Sequence, residues 1–291
     1  MPFGRMPFEP EELARRMNRL CIEMTHCRRK AMSKKERKRV LRQMKSLLRT
    51  IGEHAGRHRK KLPILRERTR FSEREAKRIQ ERIDRKLEQL PKVIKQAHER
   101  IIGGRQVSNN KKILSIHEPD VHVLVRGKAG REVEFGNTLT LSENRDGYIT
   151  DWRLYGDAAP AEWKQLQESM ERQNRFDLDD AIKEVCSDRG FTSKAGSREL
   201  VKAGVFDATC PRNGTQLGER MKQASFRSLQ HRRAGTEGRI GTVKNRWLGG
   251  RLRAKGYTNR NLAVGWAVLS HNLWLLARKL AQQDDEKKKA A

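Results

Sequence analysis

The first hundred residues alternate apolar and polar positions with the period of an α-helix. Over residues 9–31, five apolar residues are spaced by four and three positions: Leu13, Met17, Leu20, Met24 and Cys27. Such a stripe predicts an amphipathic helix. Ser33 with Glu36, and Ser72 with Glu75, have the spacing of capping boxes, so a second and a third helix should begin there.

Arginine and lysine are the commonest residues at the other positions of these three helices. Residues 9–100 could therefore form a helical hairpin with solvated faces, or a basic arm that lies along phosphates. We favour the arm. The few apolar residues should not build a globular core of their own, so we expect long helices that project from, or pack at one edge of, an α/β core. Pro91 should kink the third helix.

From residue 113 the period changes to that of β-strands. β-Branched and aromatic residues predict four strands: Ile113–Ile116, Val121–Arg126, Glu132–Ser142 and Tyr148–Tyr155. Asn144–Gly147 is the clearest hairpin turn. This region should be an antiparallel meander.

Helices and strands alternate from residue 160 onward. Helices are predicted over 160–174, 193–203, 226–248 and 258–280. Short strands are predicted at Ala181–Ser187 and Val205–Cys210. The last helix carries the strongest apolar stripe of the chain: Leu262, Trp266, Leu269, Leu273, Leu276 and Leu280. A meander followed by alternating helices and strands predicts a mixed α/β layer.

The charge of the 291 residues narrows the function further. Lysine and arginine number 65 against 36 acidic residues, which gives a net charge of +29. Residues 1–112 contribute +21 and residues 231–291 contribute +10, whereas residues 113–230 contribute −2. A nearly neutral middle segment, which would carry the chemistry, lies between two basic flanks. This distribution indicates a polyanion as the partner, and nucleic acid is the commonest one. The simpler alternative is a protein that binds RNA in a purely structural role, as ribosomal proteins do.

Other features of the sequence exclude or disfavour several classes. No apolar stretch is long enough for a membrane span, and no signal-peptide pattern opens the chain. Four cysteines without zinc-like spacing are typical of free thiols in a cytoplasm. The motifs of nucleotide-binding loops, zinc proteases and serine hydrolases do not occur. We therefore expect a cytoplasmic protein that associates with the nucleoid when bound to DNA.

Two carboxylates could hold a catalytic metal. Asp188 ends an apolar strand and is followed at once by the turn Arg189-Gly190-Phe191. Glu237 is the only acidic residue between Glu219 and Asp284. Metal-assisted phosphoryl transfer needs such carboxylates to converge on Mg²⁺, so we predict that the two lie close together. Alternatively, Asp188 is only a turn residue at the end of its strand, and Glu237 is only a salt-bridge partner within its helix.

Four stretches, in order, resemble those of bacterial DDE transposases. They are Lys128–Gly130 with Val133–Asn137, Cys186–Phe191 around the second acid, His231–Ile240 around the last glutamate, and the closing helix Asn261–Leu280. The resemblance covers residues 105–283. It implies an RNase H-like fold, a mixed sheet with flanking helices. The basic helices at 9–100 are similar to an insertion that some of these insertion-sequence transposases carry.

The resemblance leaves the first catalytic acid unassigned. In the family it lies on a strand before the insertion, but the only aspartate in residues 1–112 is Asp84, on a predicted helix. Either the chain is an N-terminally truncated transposase, which we favour, or Asp120 substitutes. Strand order alone would allow that role for Asp120.

The resemblance implies a specific organisation and activity. Residues 1–104 would be the basic helical arm, 105–283 the catalytic domain without its first strand, and 284–291 a disordered tail. Asp188 and Glu237 would bind Mg²⁺ or Mn²⁺ for cleavage and strand transfer at the double-stranded DNA ends of the element. A homodimer is a possible assembly. Five cations would contact phosphates: Arg232, Arg233, Arg239, Lys244 and Arg246. The alternative is a non-catalytic nucleic-acid-binding protein or an inactive remnant.

Overall fold

The computed structural model describes residues 9–29, 33–128, 131–175, 182–250 and 252–290. The chain divides into two compact units, Met1–Val123 and Leu124–Ala291. Parts of four predicted features lie outside the described residues: the end of the first helix, Ala129-Gly130 of the resembling motif, Ala181 of the fifth predicted strand, and Ala291. All predicted site residues are described.

Three long helices make up most of the described part of the first unit. They are α1 (Pro10–Arg29), α2 (Lys34–Leu65) and α3 (Glu73–Ile101). Both predicted capping boxes form, because the Ser33 and Ser72 hydroxyls accept from the amides of Glu36 and Glu75, whose carboxylates accept in return. The predicted long helices are confirmed. α3 continues through Pro91 to Ile101 without ending.

The helical unit has a small core, contrary to our expectation. Met24, Cys27, Val40 and Leu41 are buried together, with partly buried apolar residues from α3 around them. Arg59 of α2 donates two hydrogen bonds to Asp84 of α3, at 2.7 and 3.1 Å. An apolar stripe that is too narrow to form a core on one helix is sufficient for a small core when three helices pack their stripes together.

The segment after α3 stays with the helices rather than beginning the α/β region. The Gln96 side chain bonds both the amide and the carbonyl of Ile113, at 2.9 and 3.0 Å, and Lys86 donates to the carbonyl of Ile116. These side-chain bonds satisfy backbone groups that a strand would pair. The predicted strand Ile113–Ile116 is therefore wrong, and the division falls after Val123 instead of at residue 104.

The strands described after the helical region form three separate two-stranded sheets. β1 (His122–Lys128) pairs with β2 (Arg131–Gly136), and β3 (Leu139–Glu143) pairs antiparallel with β4 (Ile149–Leu154). β5 (Glu184–Val185) and β6 (Phe206–Asp207) are parallel. Mixed α/β structure is confirmed. Among the described residues the pairs do not merge into one sheet. The two-residue strands are too short, and an Arg145–Glu184 ion pair of 2.7 Å bridges the turn after β3 to β5 instead.

The predicted hairpin between β3 and β4 is confirmed. The Gly147 amide donates to the Asn144 carbonyl at 3.1 Å, and Gly147 has a φ of 86°, which glycine adopts without strain. The predicted single strand Glu132–Ser142 is divided, however. The strand is interrupted at Asn137 and Thr138. The Asn137 side chain donates to the Tyr155 carbonyl, and the Thr138 carbonyl accepts from the Tyr155 amide.

The described part of the second unit also contains five α-helices. They are α4 (Glu162–Asn174), α5 (Lys194–Lys202), α6 (Gly214–Met221), α7 (Ala224–Thr242) and α8 (Tyr257–Ala290), and a π-helical turn, Val243–Trp247, follows α7. The prediction missed α6, which the Asn213 side chain caps. α8 continues to Ala290, through most of the residues that were predicted to form a disordered tail. Lysines in its last turn favour the helix C-terminus.

The β3–β4 hairpin and α8 enclose the largest apolar cluster of this unit. Ile149, Leu154, Val243, Val264, Ala267 and Val268 are buried there. Asn272 bonds both the amide and the carbonyl of Ile149 at 2.9 Å, and the buried His271 bonds the Gly147 carbonyl at 3.1 Å. The hairpin is therefore fixed to the middle of α8.

Candidate functional site

Asp188 lies just beyond the parallel strand pair, as predicted. Backbone pairing continues past β5 through Cys210 N to Ser187 O at 3.0 Å. Asp188 then caps the short 3₁₀ turn Arg189–Phe191, and its Oδ1 accepts from the Arg189 amide at 2.6 Å. The carboxylate stays 66% exposed. It is therefore held at its base and open to solvent at its tip.

Glu237 is on α7, whose position is fixed by contacts to the strand pair. Phe226 and Leu229 of α7 are buried with Ala208, which follows β6. The Gln230 side chain donates to the Ala208 carbonyl at 2.6 Å. Two turns further along α7, the Glu237 side chain is 73% exposed.

Arg233 joins the two acids. Its Nη1 lies 3.8 Å from Asp188 Oδ1 and 3.4 Å from Glu237 Oε1. These two distances sum to 7.2 Å, which is the largest separation the two oxygens can have. The predicted proximity of Asp188 and Glu237 is confirmed, across 49 positions of sequence. The metal-binding role stays a prediction.

The geometry fits two ligands of a cation, but the site is incomplete. A divalent ion bound at about 2 Å by both groups would need their oxygens within about 4 Å. Exposed side chains can rotate to reach that separation, and the guanidinium already places positive charge between them. The described residues contain no group of three histidine, cysteine or acidic residues that could hold an ion.

Cys186 contributes to the position of α7 rather than to the chemistry. Its thiol donates to the Leu229 carbonyl at 3.4 Å. Burial raises the pKa of this thiol to about 11, against the opposing effect of Arg233 and Arg232. A thiol that stays protonated is a poor nucleophile and metal ligand.

Glu143 is an acid near this site that the sequence analysis missed. Its side chain is only 11% exposed, and Arg239 binds it with both Nε and Nη2. The Thr236 hydroxyl donates to it at 2.7 Å. This hydrogen-bonded pairing raises the pKa of the Arg239 guanidinium. Glu143 thus fastens the end of β3 to α7 next to Glu237.

The five predicted phosphate contacts divide into two groups. Arg239 is engaged by Glu143, Arg233 lies between the two acids, and Arg232 donates to the Asn144 carbonyl at 2.6 Å. These three have protein partners, and their contact with phosphates stays a prediction. Lys244 and Arg246 are exposed, and Arg246 lies 5.2 and 5.0 Å from the rings of Trp247 and Trp274.

Asp120, the substitute first acid, lies in a turn before β1 and within the first unit. It is on neither a strand nor a helix. The strand order that motivated it therefore gives it no strand-end position.

No protein-family model, curated protein or solved structure matches the chain. Among the described helices, none is long and apolar enough to cross a membrane.

Proposed function

We propose that the chain binds DNA as a DDE-type transposase does, with Asp188 and Glu237 as two of the acidic ligands of Mg²⁺ or Mn²⁺. The observation that carries the proposal is the shared guanidinium. Two acids separated by 49 positions approach one cation, on the open side of a strand–helix–strand unit. Divalent ions at such sites stabilise the attacking and leaving oxygens of a phosphodiester.

The surrounding fold is consistent with the RNase H-like part of this proposal. An antiparallel hairpin precedes a helix, and a parallel strand pair with a connecting helix follows. In that arrangement the strand ends and the last long helices bring acids to one edge. Here Asp188 follows β5 and Glu237 is on α7.

DNA binding in this proposal comes from exposed cations outside the acid pair. Lys244 and Arg246 follow α7 and are free of the carboxylates that engage Arg239 and Arg233. The helical unit supplies further positive charge, since residues 1–112 contribute +21 of the net charge. Affinity should therefore fall steeply as salt rises.

A non-catalytic DNA-binding protein is the second candidate. The described residues provide no third metal ligand beside Asp188 and Glu237. Two-metal catalysis loses most of its power without one ligand. In this reading Arg233 is a permanent structural cation and the two carboxylates never exchange it for a metal.

Metal binding distinguishes the two candidates. We would titrate Mn²⁺ into the full chain and follow the free ion by electron paramagnetic resonance. Asp188→Asn and Glu237→Gln should each weaken binding strongly, whereas Arg233→Gln should strengthen it by removing the competing charge. Glu219→Gln is the matched control, because Glu219 is also an exposed acid, 67% exposed and paired with Lys222 at 2.9 Å. If all four variants bind Mn²⁺ as tightly as the unmodified chain, the proposed metal site is refuted.

A nicking assay tests activity separately. With supercoiled DNA and Mn²⁺, we expect the chain to bind without cutting, because two ligands do not hold a catalytic metal pair. Nicking that disappears in Asp188→Ala would show that a third ligand exists. Asp120→Ala would then be the next variant.

A further inference from the structure

The strongest apolar stripe in the sequence faces outward. Leu262, Trp266, Leu269, Leu273, Leu276 and Leu280 of α8 are 59, 61, 45, 55, 44 and 52% exposed. They were predicted to form one face of the helix, and they do, but it is not the face on the core. The stripe is about 27 Å long at 1.5 Å per residue.

A different face of α8 makes the intramolecular contacts. Val264, Ala267, Val268 and His271 are the residues that pack on the β3–β4 hairpin. A helix that is apolar on two sides is typical of one that lies between two partners. The hairpin accounts for one partner only.

The spacing of the stripe indicates a helix as the second partner. Its residues alternate between steps of four and three, so the pattern repeats every seven residues, as it does along a coiled-coil seam. A flat or irregular partner would not require that period. Trp266, Leu273 and Leu280 take one seam position, and Leu262, Leu269 and Leu276 take the other.

The stripe is complementary to itself in the antiparallel direction. When two copies of α8 cross at residue 271, Trp266 faces Leu276 of the second copy, and Leu269 faces Leu273. Leu262 then faces Leu280, so every seam residue meets another seam residue. A two-fold axis generates all of these pairs from one surface. In a parallel pair, by contrast, Trp266 would face Trp266 and crowd one layer.

The charges at the end of α8 favour the same direction. Asp284, Asp285 and Glu286 would lie beside residues 256–258 of the second copy, where α8 begins. Unpaired backbone amides and the helix dipole at that end attract negative charge. A parallel pair would instead place the three acids of both copies together, followed by Lys287–Lys289 of both copies.

We propose that the exposed stripe of α8 is the interface of an antiparallel homodimer of this chain. The dimer rests on α8 alone and needs neither DNA nor metal. Its failure would therefore leave the proposed function untouched, and failure of the proposed function would leave the dimer untouched.

The mass in solution tests the dimer. Light scattering coupled to size exclusion should give 33.8 kDa for a monomer and twice that for the dimer, in buffer without DNA or divalent ions. We expect a concentration-dependent dimer that Leu269→Glu with Leu273→Glu converts to monomer, because the two changes place four carboxylates in the centre of the seam. Val201→Glu, on another exposed apolar residue (68%), should leave the dimer intact. A monomer at all concentrations overturns the proposal, as does a dimer that the double variant leaves unchanged.

Cross-linking tests the direction. In a Cys21→Ser background, which removes the exposed native thiol, chains with Leu269→Cys should form a disulfide with chains carrying Leu273→Cys. Chains with Leu269→Cys alone should not cross-link. Cross-linking of Leu269→Cys with itself would show a parallel pair and overturn the antiparallel arrangement.

Discussion

A methyl group added at Gly196 should destabilise the second unit, although alanine is the better helix former. Gly196 is buried in α5, and the face without a side chain lies against the indole of Trp163. A Cβ atom there would come closer than 3.0 Å to three ring atoms, a distance that real Cβ atoms essentially never show. Either the indole or α5 must move.

Two opposing effects set the size of the change. Alanine in a helix interior is favoured over glycine by about 1 kcal/mol. Overpacking a core costs about 1–3 kcal/mol when side chains must leave their rotamers. Trp163 is partly buried and packs against the cluster of Val185, Leu200 and Val205, so the ring cannot move away from α5 without losing part of that packing. The overpacking should win, with a net loss of up to about 2 kcal/mol.

Urea unfolding followed by tryptophan fluorescence measures this loss. All five tryptophans fall between residues 152 and 274, so their signal reports on the second unit. Gly218→Ala is the matched control. Gly218 is also helical, in α6, and no atom lies within 4 Å of its added Cβ, so this change should stabilise by up to about 1 kcal/mol.

The reasoning fails if Gly196→Ala is as stable as the unmodified chain or more stable. A second test isolates the contact itself. In a Trp163→Leu background, Gly196→Ala should lose its cost or become stabilising, because the ring that opposes the methyl group is gone. An unchanged cost would place the strain elsewhere.

Three further outcomes follow from other contacts. Arg172→Met should lower the free energy of unfolding by about 2–3 kcal/mol in the same urea assay, because it leaves the 10% exposed Asp151 carboxylate without its bidentate partner. Burial, and secondarily Arg57, lowers the pKa of His54 from 6.5, so the unfolded chain takes up a proton before the folded one. Thermal melts should therefore show stability that is full above pH 6.5 and falls as pH drops below it, and His54→Leu should flatten this slope. Lys244→Ala and Arg246→Ala should each reduce the log–log salt slope of DNA binding by about 0.9 if each contacts one phosphate.

Local sequence signals predicted the elements that local interactions determine. The two capping boxes and the Asn144–Gly147 turn are made by residues within four positions of one another. The strand predicted at Ile113–Ile116 failed for the opposite reason. Its backbone carbonyls accept hydrogen bonds from Gln96 and Lys86. These side chains are 17 and 30 positions away, so the pattern within the segment cannot indicate them.

The part of the candidate site that local interactions form was also predictable from the sequence. Glu237 was recognisable as a lone acid in a basic helix, and its pairing with Arg233 four residues earlier is an ordinary helical interaction. Approach of Asp188 to the same guanidinium depends on the packing of α7 against β5 and β6. Glu143 was hidden because an acid at a strand end usually faces solvent, whereas here Arg239 comes from 96 positions away to bury it.

Net charge overstates the number of cations that are available to DNA. Within α7 and the turn that follows it, Arg232, Arg233 and Arg239 serve a carbonyl, an acid pair and a buried glutamate. The π-helical turn then buries Val243 completely while Lys244 and Arg246 stay exposed. A cation that neutralises an internal acid releases no counterion when DNA binds, so it adds nothing to the salt slope. The slope therefore measures the exposed, uncommitted cations of the chain, and should be smaller than a charge of +29 suggests.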